Sequence, residues 1–142
     1  MGAEIGTTIA MSFISGFCLF AITVSIGYIS EQFNVSFIPF IWIAMPVIGY
    51  LIACAVNALT QQVSCSSIDI KKVFMTSFYN PIFILVFLLI SWFSVFRSPI
   101  EGMLIFIPDN FIRTTVAYGY YMFWAGLFGE AIGSGIAQGC AT

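Results

Sequence analysis

The chain has 142 residues, 61% of them hydrophobic and 7% charged, with no histidine, four cysteines and a formal net charge of −2. Average soluble domains are about one quarter charged, so this composition excludes a water-soluble core, and four basic residues form no stripe that would hold a nucleic-acid backbone. The absence of histidine removes the commonest general base and metal ligand, which argues against an enzyme and against a metal or cofactor site.

Four apolar stretches follow one another along the chain, each close to the roughly 20 residues a helix needs to cross a hydrocarbon core. The first covers about 5–29 without a charge and ends at Ser30-Glu31-Gln32. The second covers 37–60, with Pro39 at its start and Pro46 inside, where proline is expected to bend it. The third covers 73–96 and contains Asn80-Pro81, and the fourth covers 114–139. The expected fold is an all-α integral membrane protein, a single transmembrane domain of four helices with short loops and both termini on one side, called side A.

Side A also holds the loop before Lys72, and side B holds the 30–36 turn and the 97–113 connection. Lys71 and Lys72 on side A balance Arg97 and Arg113 on side B, so loop charge gives almost no orientation; the amino group tips side A toward the cytoplasm. The apolar centre of the last connection, residues 103–107, is too short to span and is expected to lie along the interface or against helix ends. Arg97 with Glu101 and Asp109 with Arg113 are spaced four apart and predict local ion pairs on a helix.

Polar residues recur at helical spacing in the side A half. Glu130, Ser134 and Gln138 follow at steps of four, and with Asn57, Gln61 and Ser12 they predict an intramembrane polar cluster. Glu130 alone among the ten charges lies well inside a stretch, and an intramembrane ionisable group is by default a candidate site for protons, ions or substrate. Gly126, Gly129 and Gly133 fall on one face and predict close helix packing; Gly135 with Gly139 forms a further small-xxx-small pair. Tyr28, Trp42, Trp92, Tyr118, Tyr120, Tyr121 and Trp124 sort toward side B as an aromatic belt. Cys65 and Cys140 share side A and are a possible disulfide.

With tiny loops and no catalytic constellation, the leading expectation is a non-catalytic, multi-pass structural subunit. It would sit in a larger membrane-embedded assembly, either a small complex subunit or a component of a membrane-bearing coat or viral particle. Its partners would be the lipid bilayer and other membrane or membrane-apposed proteins. The alternative is a small oligomeric transporter or ion-conducting protein that uses Glu130.

Overall fold

A computed structural model describes residues 2–65 and 67–139, with only the backbone path for 2–4, 37 and 38. Among the described residues there are six helices and no strand: α1 (Gly2–Gln32), α2 (Phe37–Ser64), α3 (Ile70–Thr76), α4 (Tyr79–Trp92), α5 (Ser94–Met103) and α6 (Asn110–Ala137). Three segments are long and apolar enough to cross a membrane, Ile5–Gln32, Pro39–Ser64 and Ile70–Trp92. Helix α6 is as long, at 28 residues, but falls short of that apolarity. It carries Arg113 and Glu130 among many small and hydroxylated residues.

Burial explains the difference. Helices α1, α2 and α4 each turn an apolar stripe outward at steps of three or four: Ile5, Ile9, Phe13 and Phe17; Ile43, Val47 and Leu51; Ile82, Val86 and Leu89. The side chains buried among the described residues are as often polar or charged as apolar, 14 of each. In water the outer stripes would be polar, so this arrangement suits an apolar solvent. Helix α6 runs the length of α1 and touches every other helix, and 12 of its residues are buried. It is the centre of the bundle, and it has no need of an apolar coat.

The interior divides along the bundle. Toward side B it is apolar, built from Leu19, Ile41, Met45, Ile84, Leu88, Tyr118, Met122 and Ala125. Toward side A it is polar. Glycines allow α1 and α6 to touch by their backbones: a Cβ on Gly126 would lie 2.9 Å from both the Gly16 Cα and the Ser15 carbonyl oxygen, and one on Gly16 would lie 2.8 Å from the Phe123 carbonyl oxygen. Gly27 faces Thr115 and Gly119 faces Phe20 in the same seam.

Four local expectations need correction. The third apolar stretch is not one helix: it breaks after Thr76, turns through Ser77 and Phe78, resumes at Tyr79, and ends at Trp92 rather than at 96. The cause is Pro81, which sits in the first turn of α4, where its missing N–H is tolerated. The Ser77 carbonyl thereby lacks its i+4 donor. Helix α2, by contrast, continues through Pro46. Second, Asp109 and Arg113 do not pair. Asp109 caps α6 by accepting from the Phe111 and Ile112 N–H groups, while Arg113 donates to the Ile107 carbonyl and Asn110 Oδ1. A hydrogen bond with Glu31, then these backbone donors and the Arg113 charge, hold the Asp109 carboxyl below its ordinary range against some desolvation, so the cap stays ionised at neutral pH.

Third, Tyr118 is no part of an exposed belt. It is 1% exposed, because the Arg97 guanidinium lies over its ring at 5.5 Å and donates to its hydroxyl at 3.3 Å. Of the remaining belt residues, Tyr28, Trp92 and Tyr120 are exposed, and Trp42, Tyr121 and Trp124 are half-buried. Fourth, Gly135 meets nothing within 4 Å and packs no helix.

The Arg97–Glu101 pair does form, at 2.8 Å. Arg97 also donates to the Ser91 and Trp92 carbonyls at the C-terminal end of α4. Residues 103–106 project beyond α5, with Met103, Ile105 and Phe106 each about three quarters exposed.

Candidate functional site

The polar half of the interior is assembled from every long helix. Asn57, on α2, is fully buried and directs its amide toward the broken helix, donating from Nδ2 to Thr76 Oγ1 at 3.0 Å and Ser77 Oγ at 3.2 Å. Both hydroxyls donate back into α3, from Thr76 to the Lys72 carbonyl at 2.8 Å and from Ser77 to the Val73 carbonyl at 2.6 Å. Their protons are committed, so they can only accept from Asn57, and this fixes which end of the amide faces them. Asn80, in the first turn of α4, donates from Nδ2 to Ser15 Oγ at 3.1 Å and to the Gly49 carbonyl at 3.2 Å. A carbonyl only accepts, so this amide is oriented too.

Both asparagines therefore have Oδ1 left over, and both oxygens abut α6. A Cβ on Gly129 would lie 2.5 Å from Asn80 Oδ1, and one on Gly133 would lie 3.0 Å from the Thr76 carbonyl oxygen, 3.4 Å from Asn57 Nδ2 and 3.7 Å from Asn57 Oδ1. Glu130 sits between these glycines in the chain and is 0% exposed. No hydrogen-bond donor reaches either of its carboxylate oxygens, nor Asn57 Oδ1, Asn80 Oδ1 or Ser134 Oγ. Unpaired buried polar groups are costly, and an intramembrane carboxyl among them calls for a chemical reason.

The other residues of the expected cluster lie at its side A margin. Ser12 is buried but bonds back to the Thr8 carbonyl at 2.7 Å. Gln61 turns away from Glu130, its Oε1 accepting the Asp69 N–H at 2.8 Å, which fastens the loop that starts α3. Gln138 donates from Nε2 to Thr8 Oγ1 at 2.5 Å across a cleft of about 290 Å³ lined by Ile5, Thr8, Ile9, Gly135 and Gln138. Lys72 Nζ donates to the Gly139 carbonyl. Cys65 is disulfide-bonded, and Cys140 lies outside the described residues.

Sequence spacing points to Ser15, Asn57, Ser77, Asn80, Glu130 and Ser134 as polar residues of this half and misses Thr76, which accepts from Asn57. A usable signal for Thr76 was its place in a polar triplet at 76, 77 and 80 immediately before a proline inside an apolar stretch. Asn80→Ala removes two buried donors and is expected to cost about 1 kcal/mol, the scale of interhelical hydrogen bonds in bilayers. Reversible unfolding in mixed micelles measures it, and an unchanged stability would mean that these bonds contribute nothing.

Comparison with protein-family models, with curated proteins and with solved structures gives no match.

Proposed function

We propose that this chain is a non-catalytic structural subunit of a larger membrane-embedded assembly, crossing the bilayer four times through α1, α2, the broken α3–α4 helix and α6. Gly2 and Gly139, the outermost described residues, then lie at side A. The observation that carries the reading is the Met103, Ile105 and Phe106 tip, three large apolar side chains about three quarters exposed at the side B end. Such a tip suits a partner layer above the bilayer better than water. The outward stripes of α1, α2 and α4 suit lipid or neighbouring helices. Native mass of the particle containing the protein, extracted in mild detergent, tests this: a large particle of fixed composition is expected, and a small homo-oligomer would overturn it.

A disulfide at Cys65 suits an oxidising compartment, which favours side A away from the cytoplasm, the opposite of what the amino group suggested. In sealed vesicles whose non-cytoplasmic face is outward, an impermeant reductant should free the Cys65 thiol. Reduction only after permeabilisation would refute that orientation.

One observation favours the second reading, a small oligomeric transporter. Glu130 is a fully buried carboxyl group inside a helix bundle, and an intramembrane ionisable group is by default a candidate site for ions or protons. On that reading Glu130→Gln abolishes flux while assembly persists; on the structural reading it leaves abundance and particle mass intact.

A further inference from the structure

We propose that α5 lies within the side B leaflet with its outward side against lipid acyl chains, an inference that rests on the membrane-spanning reading above. The helix is amphipathic in the sense opposite to one that faces water. Toward the bundle it turns Arg97, Ile100 and Glu101, spaced at steps of three or one and half-buried, and these include both of its charges. Outward it turns Val95, Phe96, Pro99 and Met103 with two serines, all exposed. A water-facing helix keeps its charges outside, whereas ionisable side chains at bilayer depth face the protein interior and pair. Arg97 does the latter, with Glu101 at 2.8 Å and with the Ser91 and Trp92 carbonyls.

Hydrogen bonds to α6 fix the depth. The Tyr121 hydroxyl donates to the Phe96 carbonyl, Arg97 donates to the Tyr118 hydroxyl at 3.3 Å, and Arg113 Nε donates to the Ile107 carbonyl at 3.2 Å. Residue numbers rise on one side of this ladder and fall on the other, so 96–107 runs antiparallel beside 121–113, a stretch of about 12 Å along α6. Helix α1 flanks the same part of α6: a Cβ on Gly119 would meet Phe20, and one on Gly27 would meet Thr115. Phe20 and Gly27 belong to the apolar segment Ile5–Gln32. Helix α5 is therefore level with the side B part of a span and not above it.

Lipid is the occupant that suits this side. The stripe that α4 turns outward, Ile82, Val86 and Leu89, carries on along the chain through exposed Phe93 and Phe96, with no charge between them. The surface that meets acyl chains on α4 thus passes into α5. With no cation on the outward side, this seat depends on apolar area and not on anionic headgroups. It also sets the height of the 103–106 tip, at the far end of α5, where the proposed partner layer would meet it.

The test uses the full chain in phosphatidylcholine vesicles doped with a phosphatidylcholine that carries a diazirine in its acyl chain, and the native membrane loaded with the same lipid. Photo-adducts are located by mass spectrometry. Adducts are expected on Val95, Phe96 and Met103 as well as on Ile82, Val86 and Leu89, in both membranes, with yields unchanged by high salt or by added anionic lipid. Adducts on α4 with none on 95–103 would overturn the seat of α5 and leave the spanning reading standing; adducts on neither would overturn both. Labelling of α5 in vesicles that disappears in the native membrane would show that a protein covers it, and labelling that needs anionic lipid would show a charge-held surface contact. Either result refutes the proposal.

Discussion

Gly126→Leu is expected to destabilise the bundle by about 3 kcal/mol, the upper end of what overpacking commonly costs. At this position the obstacle is backbone as well as a flexible side chain. The first added carbon would stand 2.8 Å from Leu19 Cδ1, which can rotate, and 2.9 Å from the Gly16 Cα and the Ser15 carbonyl oxygen, which cannot. Helices α1 and α6 would have to separate along the most extensive contact in the molecule, carrying Ser15 away from Asn80. Gly126→Ala should show a smaller loss of about 1 kcal/mol. Gly135→Leu is the control: with nothing within 4 Å of its Cβ, it should change stability by less than about 0.5 kcal/mol. Equal behaviour of Gly126→Leu and Gly135→Leu in detergent unfolding would refute the seam.

Arg97→Ala is expected to cost about 2–4 kcal/mol, since hydrogen bonds to a charged group are individually worth about 1.5–3 kcal/mol and these share one side chain, so they do not add. Arg97 ties four things together. It pairs with Glu101 on its own helix, donates to the Ser91 and the Trp92 carbonyls at the end of α4, and covers Tyr118 in the core. Those carbonyls form the negative end of a helix, where a fixed cation is favourable. Its removal should uncouple α5 from the bundle, seen as faster amide exchange in α5 with little change at side A. Arg97→Lys should recover only part of the loss, because an ammonium cannot present the planar fork that meets several carbonyls and a ring together. Full rescue by lysine would show that charge alone matters there.

These two sites differ in how far they could be read from the sequence. The apolar stretches, the Arg97–Glu101 spacing and the Gly126, Gly129, Gly133 face follow from helical periodicity, which reports the face of a helix a residue occupies. Periodicity does not report which helix lies opposite. Gly16 and Gly27 could not be matched to α6 for that reason, and Tyr118 read as a belt residue because Arg97, which covers it, lies 21 positions away in the chain. The broken third helix was half legible: Asn80-Pro81 stood out, but a proline inside an apolar run can kink a helix, as an uninterrupted α2 around Pro46 illustrates, or end it. At the interruption Asn57 holds the Thr76 and Ser77 hydroxyls, which in turn donate to the Lys72 and Val73 carbonyls, and nothing in the spacing announces that partner.

The central place of α6 bears on how the protein is made. A segment holding Arg113, Glu130 and a row of glycines partitions poorly into lipid by itself, since each intramembrane charge adds a few kcal/mol to the cost of insertion. Helices α1 to α4 precede it in the chain and are apolar enough to enter the bilayer first. They then offer α6 what lipid does not, a glycine-lined groove on α1 and an asparagine from each of two further helices. On the proposed four-span reading, membrane integration of the last helix is thus a docking event. It should fail in a nascent chain that lacks α1, even though α6 itself is complete.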